Sequence, residues 1–138
     1  MKRLCLFCVC MFLESCTDCN RLLSSTVSPD GQVVVTVHEG GNCVLPLDTV
    51  TRSVRVAATR GFFSNGRTVA HVVGQWPISA TWNSSNRLKI TFEVAALYWG
   101  ALNRHVCKWN SVNIEYEFVI RHHSEEVRDS VVAIPCEQ

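Results

Sequence analysis

The 138-residue chain lacks a charge excess: 13 Lys and Arg stand against 12 Asp and Glu, and charged residues make up only 18% of it. A nucleic-acid footprint needs clustered basic residues and a high pI, whereas the pI here is about 7.6 and the basic residues are scattered, so no nucleic-acid partner is expected. Also missing is the run of roughly 20 apolar residues that a membrane-spanning helix needs. The unbroken run Leu4 to Leu13 has ten residues, which excludes a stop-transfer anchor. No glycine-rich phosphate loop and no G-x-S-x-G elbow is present, so neither phosphate-loop chemistry nor a hydrolase triad has an anchor. Zinc-type ligand spacing is absent as well. Cys16-Thr17-Asp18-Cys19 has no second C-x-x-C pair to face, and His105-Val106-Cys107 and His122-His123 stand alone. No metal and no cofactor are expected. Disorder lacks its signature too, because 47% of the residues are hydrophobic.

What the chain does have is eight cysteines, unevenly placed. Cys5, Cys8, Cys10 and Cys16 crowd the first sixteen residues, where Lys2-Arg3 precede the ten-residue apolar run, the layout of a signal peptide. The run ends in Leu13-Glu14-Ser15-Cys16, which resembles a bacterial lipobox. That resemblance implies a signal peptide over 1–15, lipidation at Cys16 and a lipidated tether over 16–25 ahead of one domain over 26–138. Glu14 departs from the small or apolar residue usual at its position. Cysteine parity agrees: removing residues 1–15 leaves Cys16, Cys19, Cys43, Cys107 and Cys136. If lipid consumes Cys16, the remaining four suffice for two disulfides in an oxidising compartment, and they allow three pairings. The same cleavage removes Lys2, Arg3 and Glu14, leaving 11 basic and 11 acidic residues. Membrane attachment would then come from the acyl chains, each buried CH₂ contributing about 0.8 kcal/mol, and not from anionic headgroups. A bacterial cell envelope is the expected location. Thr17, where Asp would signal inner-membrane retention, favours the periplasmic face of an outer membrane, with plain secretion as the alternative.

Beyond residue 25 the hydrophobic period is two. Val33, Val35 and Val37 alternate with Gln32, Thr36 and His38. Val50, Val54 and Val56 alternate with Thr51, Ser53 and Arg55, although Arg52 shares the apolar face. Leu88, Ile90, Phe92 and Val94 alternate with Lys89, Thr91 and Glu93, and Val112 to Ile120 repeats the pattern with Glu115 and Glu117 on the polar side. Segments 68–73, 78–82 and 130–134 are shorter strand candidates. Ser28-Pro29-Asp30-Gly31, Gly40-Gly41-Asn42, Ser64-Asn65-Gly66 and Asn83 to Asn86 supply turn chemistry. About seven strands with one wet face predict an all-β fold, a small antiparallel β-sandwich or partly open barrel. The stretch 95–104 reads as a short helix or an irregular insertion.

The order of several motifs is similar to that of small bacterial lipoproteins of unknown function, over about residues 16–117. They are the Ser28-Pro29-Asp30-Gly31 turn before a valine-rich strand, Gly41-Asn42-Cys43, Trp82-Asn83-Ser84-Ser85-Asn86-Arg87-Leu88-Lys89-Ile90, and Val112-Asn113-Ile114-Glu115-Tyr116. The resemblance implies a Cys19–Cys43 bridge, leaving Cys107–Cys136, and it implies no activity. Cys43 is followed here by Val44-Leu45-Pro46-Leu47, not by the small-residue run of those proteins.

These features favour a non-enzymatic, lipid-anchored binding module, with an inhibitor or immunity protein as a special case. Its partners would be the membrane, through the N-terminal lipid, and a protein or envelope component. Exposed aromatics anchor interfaces, so Tyr98, Trp99 and Trp109 form a candidate binding patch. Two alternatives carry their own residues. Glu115 and Glu117, on one face of one strand, have a spacing that could suit the paired carboxylates of a small envelope hydrolase, although a solvent-facing strand predicts the same alternation. Asn83-Ser84-Ser85 is a glycosylation sequon if the domain is conventionally secreted.

Overall fold

The computed structural model describes residues 20–41, 50–60, 66–95, 102–121 and 130–134. Ten strands are formed: β1 (Arg21–Val27), β2 (Val33–Gly40), β3 (Thr51–Ala58), β4 (Arg67–Val73), β5 (Ile78–Ser84), β6 (Arg87–Ala95), β7 (Leu102–His105), β8 (Lys108–Trp109), β9 (Val112–Arg121) and β10 (Ser130–Ile134). One sheet has the order β1-β2-β3-β4-β7 and the other β10-β9-β6-β5, with β8 paired to β9. The two ladders stay separate, so the domain is an all-β sandwich and not a closed barrel.

The alternation of each strand fills the space between the sheets. Val35, Val37, Val54, Val56, Val69, Ala70 and Val72 of the first sheet form one buried cluster with Leu88, Ile90, Phe92, Val94 and the even-numbered residues Val112 to Ile120 of the second. Each of the larger side chains contributes about 1.5–3 kcal/mol on burial. Phe92 lies at the centre, its ring stacked 6.3 Å from Tyr116 and tilted 5.5 Å from Phe118. The residues that break the alternation find partners. Arg52, on the apolar face of β3, is satisfied by an ion pair with Glu39. Val34 lies on the outer face, opposite Val27 and Ala57, and Val119 lies opposite Val131.

Three expectations change. The strand count rises to ten because β1, β7 and β8 carry no clear alternation. β1 occupies residues 21–25 of the expected tether: its side chains are almost all exposed and a bulge at Leu22/Ser24 breaks its register, so backbone pairing to β2 holds it there. The second sheet is also not purely antiparallel, since β6 and β9 run parallel. Parallel neighbours need a crossover of a dozen or more residues; within the described part of this one, β7 joins the first sheet and β8 pairs with β9. Within the expected insertion at 95–104, Ala95 ends β6 and Leu102 begins β7. Residues 96–101 lie outside the described residues. Among the described residues there is no helix, hence none long and apolar enough to cross a membrane.

The Ser28 turn closes as its sequence demands. The Ser28 hydroxyl donates to Asp30 Oδ1 at 2.5 Å and accepts from the Val33 amide at 3.0 Å, while Gly31 adopts φ +71°, a conformation that favours glycine. Those bonds hold the Asp30 carboxyl below its ordinary range, the Ser28 hydroxyl first and the Gln32 amide second.

Candidate functional site

The two ends of the sandwich differ in chemistry. At the end where the chain enters β1, one row of the first sheet runs Arg21, Glu39, Arg52, Val72. A row of the second sheet runs Glu93, Val119, Val131. Arg52 ties the rows together. Its Nε and Nη2 donate to Glu39 Oε2 at 3.0 and 2.8 Å, and its Nη1 donates to the Trp76 carbonyl at 2.5 Å. Directly after Trp76, the Pro77 carbonyl accepts from the Glu93 amide at 3.0 Å. Gly74, at φ +111°, lets the chain pass there: a Cβ on it would stand 2.7 Å from Trp76 Nε1. In the middle of the sandwich, Tyr116 joins the sheets. Its hydroxyl lies 2.7 Å from the Val106 carbonyl and 3.0 Å from the Val69 carbonyl, and accepts from the Val106 amide at 3.2 Å. Burial pushes this phenol up to about 12.

The far end is cationic. Arg60 follows β3 and Arg67 opens β4, flanking one connection of the first sheet. Arg87 opens β6 and Lys108 opens β8, both paired in register with Asn113. All four are exposed, and no ion pair joins any of them to another described residue. Arg55 lies over the same end, its Nε 2.5 Å from where a Cβ of Gly66 would stand. The described acidic residues near this end are Asp30, which is engaged with Ser28 and the Gln32 amide, and the exposed Glu115, two positions along β9 from Asn113. Sequence reasoning missed this cluster because Arg60 and Lys108 are 48 positions apart. The available signal was that each cation sits beside a strand boundary.

Glu115 and Glu117 point outward from β9, as expected. Glu117 is bound, accepting from Thr91 Oγ1 at 2.8 Å and pairing with Lys89 Nζ at 3.0 Å. The Thr91 hydroxyl, then Lys89, hold its carboxyl below its ordinary value of 4.5. Arg121 does the same for Glu93 at 2.7 Å. A general acid needs a raised pKa, so Glu117 is unsuited to be the proton donor of a glycoside hydrolase. These depressed values also fix a pH dependence. A carboxyl lowered in the fold contributes stability above its unfolded value and loses it as pH falls through its folded value. The melting temperature is therefore expected to fall as pH drops below about 4.5, and Glu117→Gln to shrink that drop; a variant with an unchanged pH profile would refute the assignment.

Trp109 is half-buried and packs against the core. Tyr98 and Trp99 lie outside the described residues, in the connection from β6 to β7, whereas Trp109 is on β8 at the far end. Cys107 is disulfide-bonded, to a cysteine outside the described residues. Cys16, Cys19, Cys43 and Cys136 lie outside them too, as does the signal segment 1–15. Asn83 of the sequon is exposed on β5. His38 Nδ1 is 3.1 Å from Asn20 Oδ1, and among the described residues no group of three or more His, Cys, Asp or Glu could hold a metal. Comparison with protein-family models, curated proteins and solved structures finds no match to this chain.

Proposed function

We propose that this protein is a non-enzymatic, lipid-anchored module of the bacterial cell envelope that binds an acidic face of another envelope protein, in the manner of an inhibitor or immunity protein. The observation that carries this reading is the cationic end: Arg60, Arg67, Arg87 and Lys108 come from both sheets, are exposed, and lie at the end away from the chain's entry. A β-sandwich presenting exposed guanidinium and ammonium groups that make no ion pair among the described residues suits an acidic partner, because complementary charge speeds encounter and fixes register. Glu117, held ionised by Thr91 and Lys89, is unsuited to be a general acid. Capture of envelope proteins by the lipidated protein tests it. Capture at low salt is expected to weaken at least tenfold in the quadruple variant Arg60→Glu, Arg67→Glu, Arg87→Glu, Lys108→Glu, and to fall with added salt. Capture that survives both charge reversal and salt would overturn the reading.

A second reading, a conventionally secreted domain, draws on the exposed Asn83 of the sequon. Intact mass separates the two: a start at Cys16 with acyl mass supports the anchored module, and an unmodified or glycosylated chain supports secretion.

A further inference from the structure

Resting on the anchored reading above, we propose that the end of the sandwich where the chain enters β1 sits on the bilayer surface, with Leu22, Leu23, Val73 and Val131 against the lipid interface. The first reason is reach. From Cys16 to Arg21 there are five Cα steps, which span at most about 18 Å even fully extended. The start of β1 cannot stand farther than that from an acylated Cys16. The second reason is where the exposed apolar surface lies. Among the described residues, the large hydrophobic side chains left exposed are Leu22 (54%), Leu23 (37%), Val27 (52%), Val73 (43%) and Val131 (63%). Four of these five lie toward the entry end. Leu22 is opposite His38 near the end of β2, Val73 is opposite Thr51 at the start of β3, and Val131 is opposite Val119 near the end of β9. The Arg52 contact to Trp76 shows that these rows of the two sheets meet at one end. Leu22 and Val73 project from the outer face of the first sheet and Val131 from that of the second, so what they share is one end of the sandwich, the end to which the tether leads.

The third reason is charge. Glu39 and Glu93 at this end are each paired to an arginine, Arg52 and Arg121; Asp48, Glu125, Glu126 and Asp129, in the connections from β2 to β3 and from β9 to β10, lie outside the described residues. Arg21 is exposed beside Leu22 and Leu23, where its guanidinium can donate to a lipid phosphate while its stem lies along apolar surface. With this end on the membrane, the cationic end faces outward, where a partner can reach it.

The test uses the lipidated protein in vesicles of phosphatidylethanolamine and phosphatidylglycerol doped with a phospholipid carrying a diazirine near the headgroup, followed by mass mapping of the photo-adducts. Adducts are expected at residues 20–24, 73 and 131. Leu22→Glu combined with Val73→Glu, both at exposed positions, is expected to reduce those adducts at least fivefold while the acyl mass remains. Acylated protein whose adducts fall on the Ser28 turn or on Asn86–Arg87, or that has none on the folded domain, would overturn the orientation alone. Protein without acyl mass would overturn the orientation together with the anchored reading.

Discussion

Truncating Phe92 to alanine is expected to destabilise the domain by about 3–5 kcal/mol, the range for removing a fully buried phenylalanine from a core that only partly collapses around the cavity. Phe92 has no exposed surface. It sits on β6, between β5 and β9, and its ring meets both Tyr116 and Phe118. Loss of the ring removes apolar burial and two aromatic contacts at once, and neither neighbouring strand can move inward without breaking its pairing to β6. The measurement is urea unfolding, with the midpoint falling and the slope unchanged. Thr81→Ala, on the exposed face of β5, serves as the control and should stay within about 0.5 kcal/mol. Equal effects at the two positions would contradict a core centred on Phe92.

Replacing Cys107 by serine is expected to cost about 2–4 kcal/mol, the usual contribution of a disulfide closing a loop of this order. We propose Cys136 as its partner, which closes a loop of 30 residues counting both ends. The strand register supports that choice. The Asn113 amide donates to Asn86, on the β6 side of β9, and the Ile114 amide donates in the opposite direction to the Cys107 carbonyl. β10 flanks β9 on that same side, with Ile134 opposite Tyr116. Cys107 and β10 therefore lie along the same edge of β9. The resemblance to small bacterial lipoproteins implies a Cys19–Cys43 bridge beside the Cys107–Cys136 one. Peptide mapping of the unreduced protein checks both pairings. Cys107 linked to Cys19 or Cys43 would refute them, and a Cys107→Ser variant as stable as the parent would remove the disulfide from any account of stability.

Much of this fold was legible because alternation is a local property. β2, β3, β6 and β9 follow the runs of Val, Ile, Leu and Phe to within a residue or two, since a strand buried on one face must place an apolar side chain at every second position. β1 was illegible for the converse reason. With its side chains exposed and Leu23 in a bulge, nothing constrains them to alternate. β7 and β8, at four and two residues, are too short to show a period. Among the candidate site residues, the outward placement of Glu115 and Glu117 followed directly from the alternation of β9. Their binding by Thr91 and Lys89 did not, because both partners come from β6 across a parallel pairing that no local pattern announces.

The sequence alone determined the fold class, the inner and outer faces of the long strands, and the Ser28-Pro29-Asp30-Gly31 turn, because each depends on residues within a few positions of one another. Only the tertiary structure decided which strand ends share a side of the sandwich. Among the described residues, cations that look scattered along the chain gather in space, with Arg60, Arg67, Arg87 and Lys108 at one end and the paired Glu39 and Glu93 with exposed leucine and valine at the other. The physical reason is connectivity. Reversals at the turns and the crossover from β6 to β9 bring together residues 48 positions apart, and a local period of two carries no information about where those reversals meet.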